Sequence, residues 1–179
     1  MTPIRRQIVD FARREDATAT MEFVITFPVI MMLFLAAFET SMIMTRQVML
    51  ERTLDLAVRE LRLANGVSVT DDQIRTAICS NTRMLPDCAT LLTIDLRRVD
   101  RTTYAMPSDQ DLCVDRAASA TPSNSFVVGA DDDFMLIRAC MIVDRMFPFS
   151  GYGINLTRDD SGGLHMTAGA VFVNEPDGS

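Results

Sequence analysis

The sequence predicts an α+β protein. One long N-terminal helix, membrane-spanning in its first half and amphipathic in its second, packs on a small antiparallel sheet. Three observations carry this expectation. An uncharged run from Phe23 to Phe38 is framed by Glu22 and Glu39. Leu50, Leu54, Ala57, Leu61 and Ala64 then recur at alternating steps of four and three, which places them on one helical face. Beyond residue 90, the stretches 91–99, 133–147 and 164–173 have the apolar or alternating character of strands.

Taken in order, the chain opens with a basic stretch containing Arg5, Arg6, Arg13 and Arg14. The positive-inside bias keeps such an end in the cytoplasm and sends the following segment across the membrane. The uncharged run is a little short of the roughly 20 residues that a span needs. The segment "ETSMIM" (39–44) extends it. No small-x-small site followed by a polar start comes after the run, so signal peptidase has little to cut. The arginine flank and the large apolar residues Ile30 to Leu33 favour a span over a buried helix of a soluble protein.

Helical periodicity continues past the span. Glu51, Arg52, Asp55, Arg59, Glu60 and Arg62 fill the solvated face opposite Leu50 and Leu54, with oppositely charged neighbours along it. Asn65-Gly66 supplies a stop. One helix is therefore expected over about 18–64, roughly 70 Å long at about 1.5 Å per residue. Pro28 lies inside it, removing one backbone hydrogen bond and bending it, a defect that neighbouring helices accommodate in a membrane or bundle.

The remainder, 65–179, reads as a small α+β domain. Thr70-Asp71-Asp72-Gln73 is a capping box that opens a short helix through about Cys79. "LLTIDLRRV" (91–99) alternates and predicts a half-buried strand. "DFMLIRACMIVDRMF" (133–147) predicts a longer one ended by Pro148, and "LHMTAGAVFV" (164–173) a third. Three or four strands cannot close a barrel and need a cover, which the amphipathic half of the long helix offers. The connections Ser119–Ser125 and "RDDSGG" (158–163) are turn-rich.

Composition narrows the function. The 17 basic residues are all arginine, net charge is −7, and the acids fall mostly after residue 70, which argues against nucleic acid as a partner. Four cysteines, Cys79, Cys88, Cys113 and Cys140, follow the apolar run with no C-x-x-C pair, and His165 is the one histidine. These spacings do not match a zinc site. An even number of cysteines beyond a membrane segment favours two disulfides in an oxidising compartment. Of the three possible connectivities, Cys79–Cys88 with Cys113–Cys140 is favoured, because it staples the short helix to the first strand and an irregular stretch to the second. Each bridge would contribute roughly 2.5–4 kcal/mol. "ADDDF" (130–134) reads as a turn before a strand, since the calcium-loop spacing and its terminal Glu are missing. His165 has no nucleophile arranged beside it by motif, so no catalytic residue is assigned. The aromatic, glycine-rich "FPFSGYGINL" (147–156) reads as a loop over the sheet, with a partner-binding tip as the sharper alternative. The methionines cluster in or near the span and fit packing better than copper binding.

One constellation is more specific. A basic leader precedes Ala17-Thr18-Ala19-Thr20-Met21-Glu22-Phe23, a small residue followed by four residues, Glu and an aromatic. Pro28 follows Glu22 by six residues, Glu39 ends the run, and "LDLAVRELR" (54–62) continues the helix. This pattern, over 13–64, resembles the TadE/TadF-like pseudopilins of the tight-adherence (Flp-type) pilus system. "RAC" at 138–140 and "VFVNEP" at 171–176 are more loosely similar to TadF-like members. The resemblance implies a pilin-like fold, with a helix lying on an antiparallel sheet. It also implies removal of the leader 1–17 by a prepilin peptidase between Ala17 and Thr18, although Ala17 stands where the family usually has Gly.

By the same resemblance the protein would be a minor pseudopilin, and with no catalytic motif in the chain no enzymatic activity or cofactor is expected. It would be anchored in the bacterial inner membrane with a cytoplasmic N-terminus and a periplasmic C-terminal domain, from which it could be taken into a cell-surface pilus. Its partners would be other pilin or pseudopilin subunits, the assembly platform and the peptidase. Glu22, Phe23, Pro28 and Glu39 are the residues expected to serve assembly and register. Within a span an acid costs about 2.5–3.5 kcal/mol at the centre and less near an end. The α-amine that cleavage would create at Thr18, four residues from Glu22, supplies a charge to offset it. The alternative function is an unprocessed bitopic protein whose acidic ectodomain binds a protein partner.

Overall fold

The computed structural model describes residues 15–63, 69–106, 112–113, 116, 125–147, 157–158 and 160–175, with backbone only for Glu15–Thr18 and Leu63. The leader through Arg14, Ala64 with the Asn65-Gly66 stop, Ser119–Asn124, the 148–156 part of the aromatic loop and Pro176 lie outside them. The elements are α1 (Glu15–Leu63), α2 (Asp71–Ser80), α3 (Cys88–Leu91), β1 (Leu92–Arg98), β2 (Phe134–Val143) and β3 (Leu164–Val173). They form the α+β arrangement expected: a long helix and a three-stranded antiparallel sheet of order β1-β2-β3. α1 is a single 49-residue helix that starts at Glu15, ahead of Thr18, and continues through Pro28. The chain divides into two compact units, one drawn from Met1–Ser41 with Phe147–Tyr152, the other from Met42–Met146 with Gly153–Ser179.

In the second unit the amphipathic part of α1 covers one face of the sheet. Leu50, Leu54 and Ala57 are buried, and Leu61 packs against the core. Val58 and Thr53 are buried as well, widening the stripe. Thr53 Oγ1 donates to the Met49 carbonyl at 2.9 Å, which satisfies its hydroxyl inside the helix. Gln47 Nε2 donates to the Thr167 carbonyl of β3 at 2.9 Å. The core-facing rows of the sheet follow from the register: Leu92–Met141–Met166, Ile94–Ala139–Ala168 and Leu96–Ile137–Ala170, closed by Met135–Phe172. Cross-strand neighbours in an antiparallel sheet share a face, so all of these residues point at the helix.

α2 begins as its capping box requires. Thr70 Oγ1 accepts from the Gln73 amide at 3.4 Å, and Gln73 Oε1 accepts from the Thr70 amide at 3.0 Å. Ile74 and Ile78 are its buried positions, one turn apart. The Arg75 guanidinium bonds Asp71 Oδ2 at 2.7 Å and donates to the Leu92 carbonyl, fastening α2 to the start of β1. α3 is an added turn after Asp87, which sits in the left-handed region at φ 49°.

Two strand expectations need correction. β1 is not half-buried: Leu92 to Leu96 are all buried, and so are Met135 to Val143 of β2. On the far face of the sheet, described residues of the connection between β1 and β2 approach β2 and β3: Cys113 is bonded to Cys140, and Arg116 lies against Gly163. Leu112 of that connection is buried. Along the edge of β1, Phe126 bridges in parallel to Leu96, with Leu96 N donating to Ser125 O at 2.8 Å and Val127 N to Leu96 O at 2.9 Å, and Phe126 packs against the helix-side core. β1 keeps its polar alternation, but Thr93 and Asp95 are buried, the carboxylate satisfied by Arg138 and the Ser125 amide. β2 also ends at Val143, not at residue 147, because Val143 pairs with Leu164, where β3 begins. Beyond it Asp144 is held by Arg116 through two contacts of 2.9 and 2.7 Å. Gly163 makes that approach possible, since a Cβ there would collide with Arg116 Nη2 and Ile142 Cγ2.

Candidate functional site

The first unit contains the residues singled out by the sequence. From Ala19 to Phe38 no side chain of α1 is buried, and Phe23, Ile30, Leu33 and Phe34 are each more than 60% exposed. Such a continuous apolar surface demands a lipid or protein cover. Within α1, Ala19–Arg62 is long and apolar enough to cross a membrane.

Along this surface, Glu22 is exposed and its carboxylate has no partner among the described residues. Its carbonyl accepts from Thr26 Oγ1 at 2.8 Å. One turn on, Phe23 and Phe27 stack with centroids 5.2 Å apart. Pro28 has no amide hydrogen, so the Val24 carbonyl lacks its usual helical donor. Ala17 and Thr18 lie in the first turn of α1, which sets Thr18 one turn before Glu22.

Glu39, at the other end of the run, is in a different state. It is only 1% exposed, and Oε1 accepts from the Phe147 amide at 3.2 Å. The ring of Phe147 meets that of Phe38 edge-on at 6.4 Å. Sequence reasoning placed Glu39 at the end of the span but had no means of finding this partner.

In the second unit, Cys79 is joined to Cys88 and Cys113 to Cys140, with Cα–Cα distances of 5.7 and 5.3 Å. The first bridge ties α2 to α3, and the second holds the β1–β2 connection against the far face of β2. Sequence reasoning missed a buried ionic cluster on that same face. Asp95 Oδ2 accepts from Arg138 Nη2 at 2.8 Å, while Asp95 Oδ1 accepts from Arg97 Nη2 at 2.5 Å and the Ser125 amide at 3.1 Å. Burial pushes the Asp95 pKa up, but the bonds from Arg97, Arg138 and Ser125 outweigh it and leave the pKa below its ordinary value. The available signal was Arg138, the lone charge in apolar β2, with Asp95 set between apolar neighbours in β1.

Other candidates resolve into structural roles. Asp133 Oδ2 accepts from the Ala130 amide at 2.9 Å, and Oδ1 pairs with Arg98 Nε at 3.0 Å. With Asp132 at φ 60°, this is a turn leading into β2. His165 donates its backbone amide to Thr157 O at 3.0 Å, and its buried Nε2 has no hydrogen-bond partner among the described residues. Among the described residues no group of three or more His, Cys, Asp or Glu side chains is placed to hold a metal.

Fold and site together define a helix-anchored α+β protein whose apolar helical surface awaits a cover. Residues 17–60, about a quarter of the chain, match the family model of TadE-like proteins, so this helical segment is similar to that family. No curated protein and no solved structure matches the chain significantly.

Proposed function

We propose that the protein is a minor pseudopilin of a tight-adherence, type IV-like pilus, held in the bacterial inner membrane before assembly. Its N-terminus would lie in the cytoplasm and residues 65–179 in the periplasm. The observation that carries this reading is the TadE-like match over 17–60, which coincides with an exposed apolar helix bearing Glu22 and Pro28. That surface suits lipid in the anchored state and neighbouring pilin helices in the assembled one. A prepilin peptidase would cut between Ala17 and Thr18, and the new α-amine would lie one helical turn from Glu22. In a low-dielectric contact that amine, or the one on a neighbouring subunit, pairs with the carboxylate and sets axial register.

Intact-mass measurement on protein from native membranes tests the reading. Loss of residues 1–17, leaving Thr18 first, is expected, and Ala17→Gly should accelerate the cut. A chain that keeps Met1 to Ala17 in cells with an active prepilin peptidase would falsify it.

A further inference from the structure

We propose that Glu39 is an intramolecular anchor that docks the segment following β2 onto α1 through the Phe147 amide. A carboxylate 1% exposed must be covered and hydrogen-bonded, because burying it unsatisfied is costly. On α1 its neighbour Phe38 stays 45% exposed, and every residue from Ala19 to Phe38 is at least partly exposed. The helix therefore does not bury Glu39 by itself.

Two adjacent residues of α1 grip the same distant residue in different ways. Glu39 Oε1 takes the Phe147 backbone N–H at 3.2 Å, and the Phe38 ring meets the Phe147 ring edge-on at 6.4 Å. The hydrogen bond spans 108 residues of sequence. A backbone amide bonded to a carboxyl oxygen, with an aromatic contact beside it, is a directional dock. It fixes one residue at one helical position, which a greasy contact alone would not do.

The two acids framing the apolar run consequently do different work. Glu22 is exposed and offers its carboxylate outward. Glu39 is spent within its own chain and interrupts the exposed apolar surface, which resumes at Met44 and Val48. The anchor lies within a single chain.

Residue-resolved amide hydrogen exchange on the full-length protein in detergent micelles tests this. In the wild type the Phe147 amide should be protected. Glu39→Leu should raise its exchange by about tenfold, as expected for losing a buried hydrogen bond, while the Ile137 and Ala139 amides of β2 keep their protection. Glu39→Gln retains an acceptor and should keep most of the protection. A wild-type Phe147 amide exchanging at the open-chain rate overturns the anchor, as does an unchanged rate in Glu39→Leu. Should Glu39→Leu loosen the whole sheet, Phe38→Ala reads the same dock from its other contact. A selective rise at Phe147 there supports the anchor. No rise, or a uniform loss across β2 in both variants, overturns it.

Discussion

Arg138 and Asp95 face each other across β1 and β2, with Nη2 2.8 Å from Oδ2 and both side chains buried. The pair stands on the far face of the sheet, away from α1, where the register places Arg138 opposite Gly169 of β3. A one-residue slip of β1 against β2 would turn the carboxylate to the helix-facing side, beside Ile137 and Ala139, and would turn Ile94 and Leu96 away from the core. The pair therefore acts as a register lock, because side chains alternate faces along a strand.

Removing one partner should be expensive. Asp95→Ala leaves Arg138 buried without its counter-charge, and a loss of about 3–5 kcal/mol is expected. Adding Arg138→Met to that variant should restore more than half of the loss, since an apolar replacement of both ions avoids the desolvation cost. Urea unfolding of the full-length protein in detergent checks both numbers. A single-substitution loss below about 1 kcal/mol, the range of surface pairs, would show that the lock does not stabilise the fold.

Acid should act through the same carboxylate. Its folded pKa lies below the ordinary 3.8, lowered by Arg97, Arg138 and Ser125 against the opposing effect of burial. The unfolded chain therefore takes up the proton first as pH falls. The stabilisation from Asp95 is complete above the unfolded pKa and is lost as pH drops from about 4 through the folded value. Exposed Asp100 is lowered too, by the Thr102 hydroxyl and amide, and adds in the same direction. The urea midpoint should stay nearly flat between about pH 7 and pH 5 and fall below about pH 4. An equally steep acid limb in Asp95→Ala would assign the fall to other carboxylates.

The two disulfides should differ in worth. Sequence separations of 9 and 27 residues give about 2.5 kcal/mol for Cys79–Cys88 and about 3.5 kcal/mol for Cys113–Cys140 by loop-closure entropy. Replacing Cys113 and Cys140 together by Ser should also loosen the cover over the far face of β2, seen as faster exchange of the Leu136 and Arg138 amides. Peptide mapping without reduction establishes the pairing. Recovery of four free thiols from material on the periplasmic side would contradict both the bridges and the proposed topology.

Glu22→Gln removes the exposed charge without changing shape. Membrane insertion and both disulfides should be unaffected, while co-purification with sheared pili should fall by about tenfold, corresponding to roughly 1.4 kcal/mol of lost contact. A variant that enters pili at the wild-type ratio would reduce Glu22 to a marker of the membrane boundary.

What the amino-acid order determined by itself is whatever local periodicity can encode. The helical face of Leu50, Leu54 and Ala57 announces itself by its spacing. The Thr70–Gln73 capping box needs only residues three apart, and β3 is legible from an apolar stretch bounded by Gly163 and Glu175. The far side of the sheet was less legible. "LLTIDLRRV" alternates as a half-exposed strand does, and only the folded β1–β2 connection, pinned by Cys113, shows that its polar side is covered too.

Tertiary structure alone decided which charge meets which. Asp95 finds Arg138 across 43 residues and Glu39 finds Phe147 across 108. Neither pairing leaves a period in the sequence, because each depends on chain closure and not on neighbouring dihedrals. The two glutamates framing the apolar run show this most clearly. Alike as boundary acids in the sequence, they part in the fold: Glu22 lies open on the helix surface, while Glu39 is buried against an amide that no nearby residue could supply.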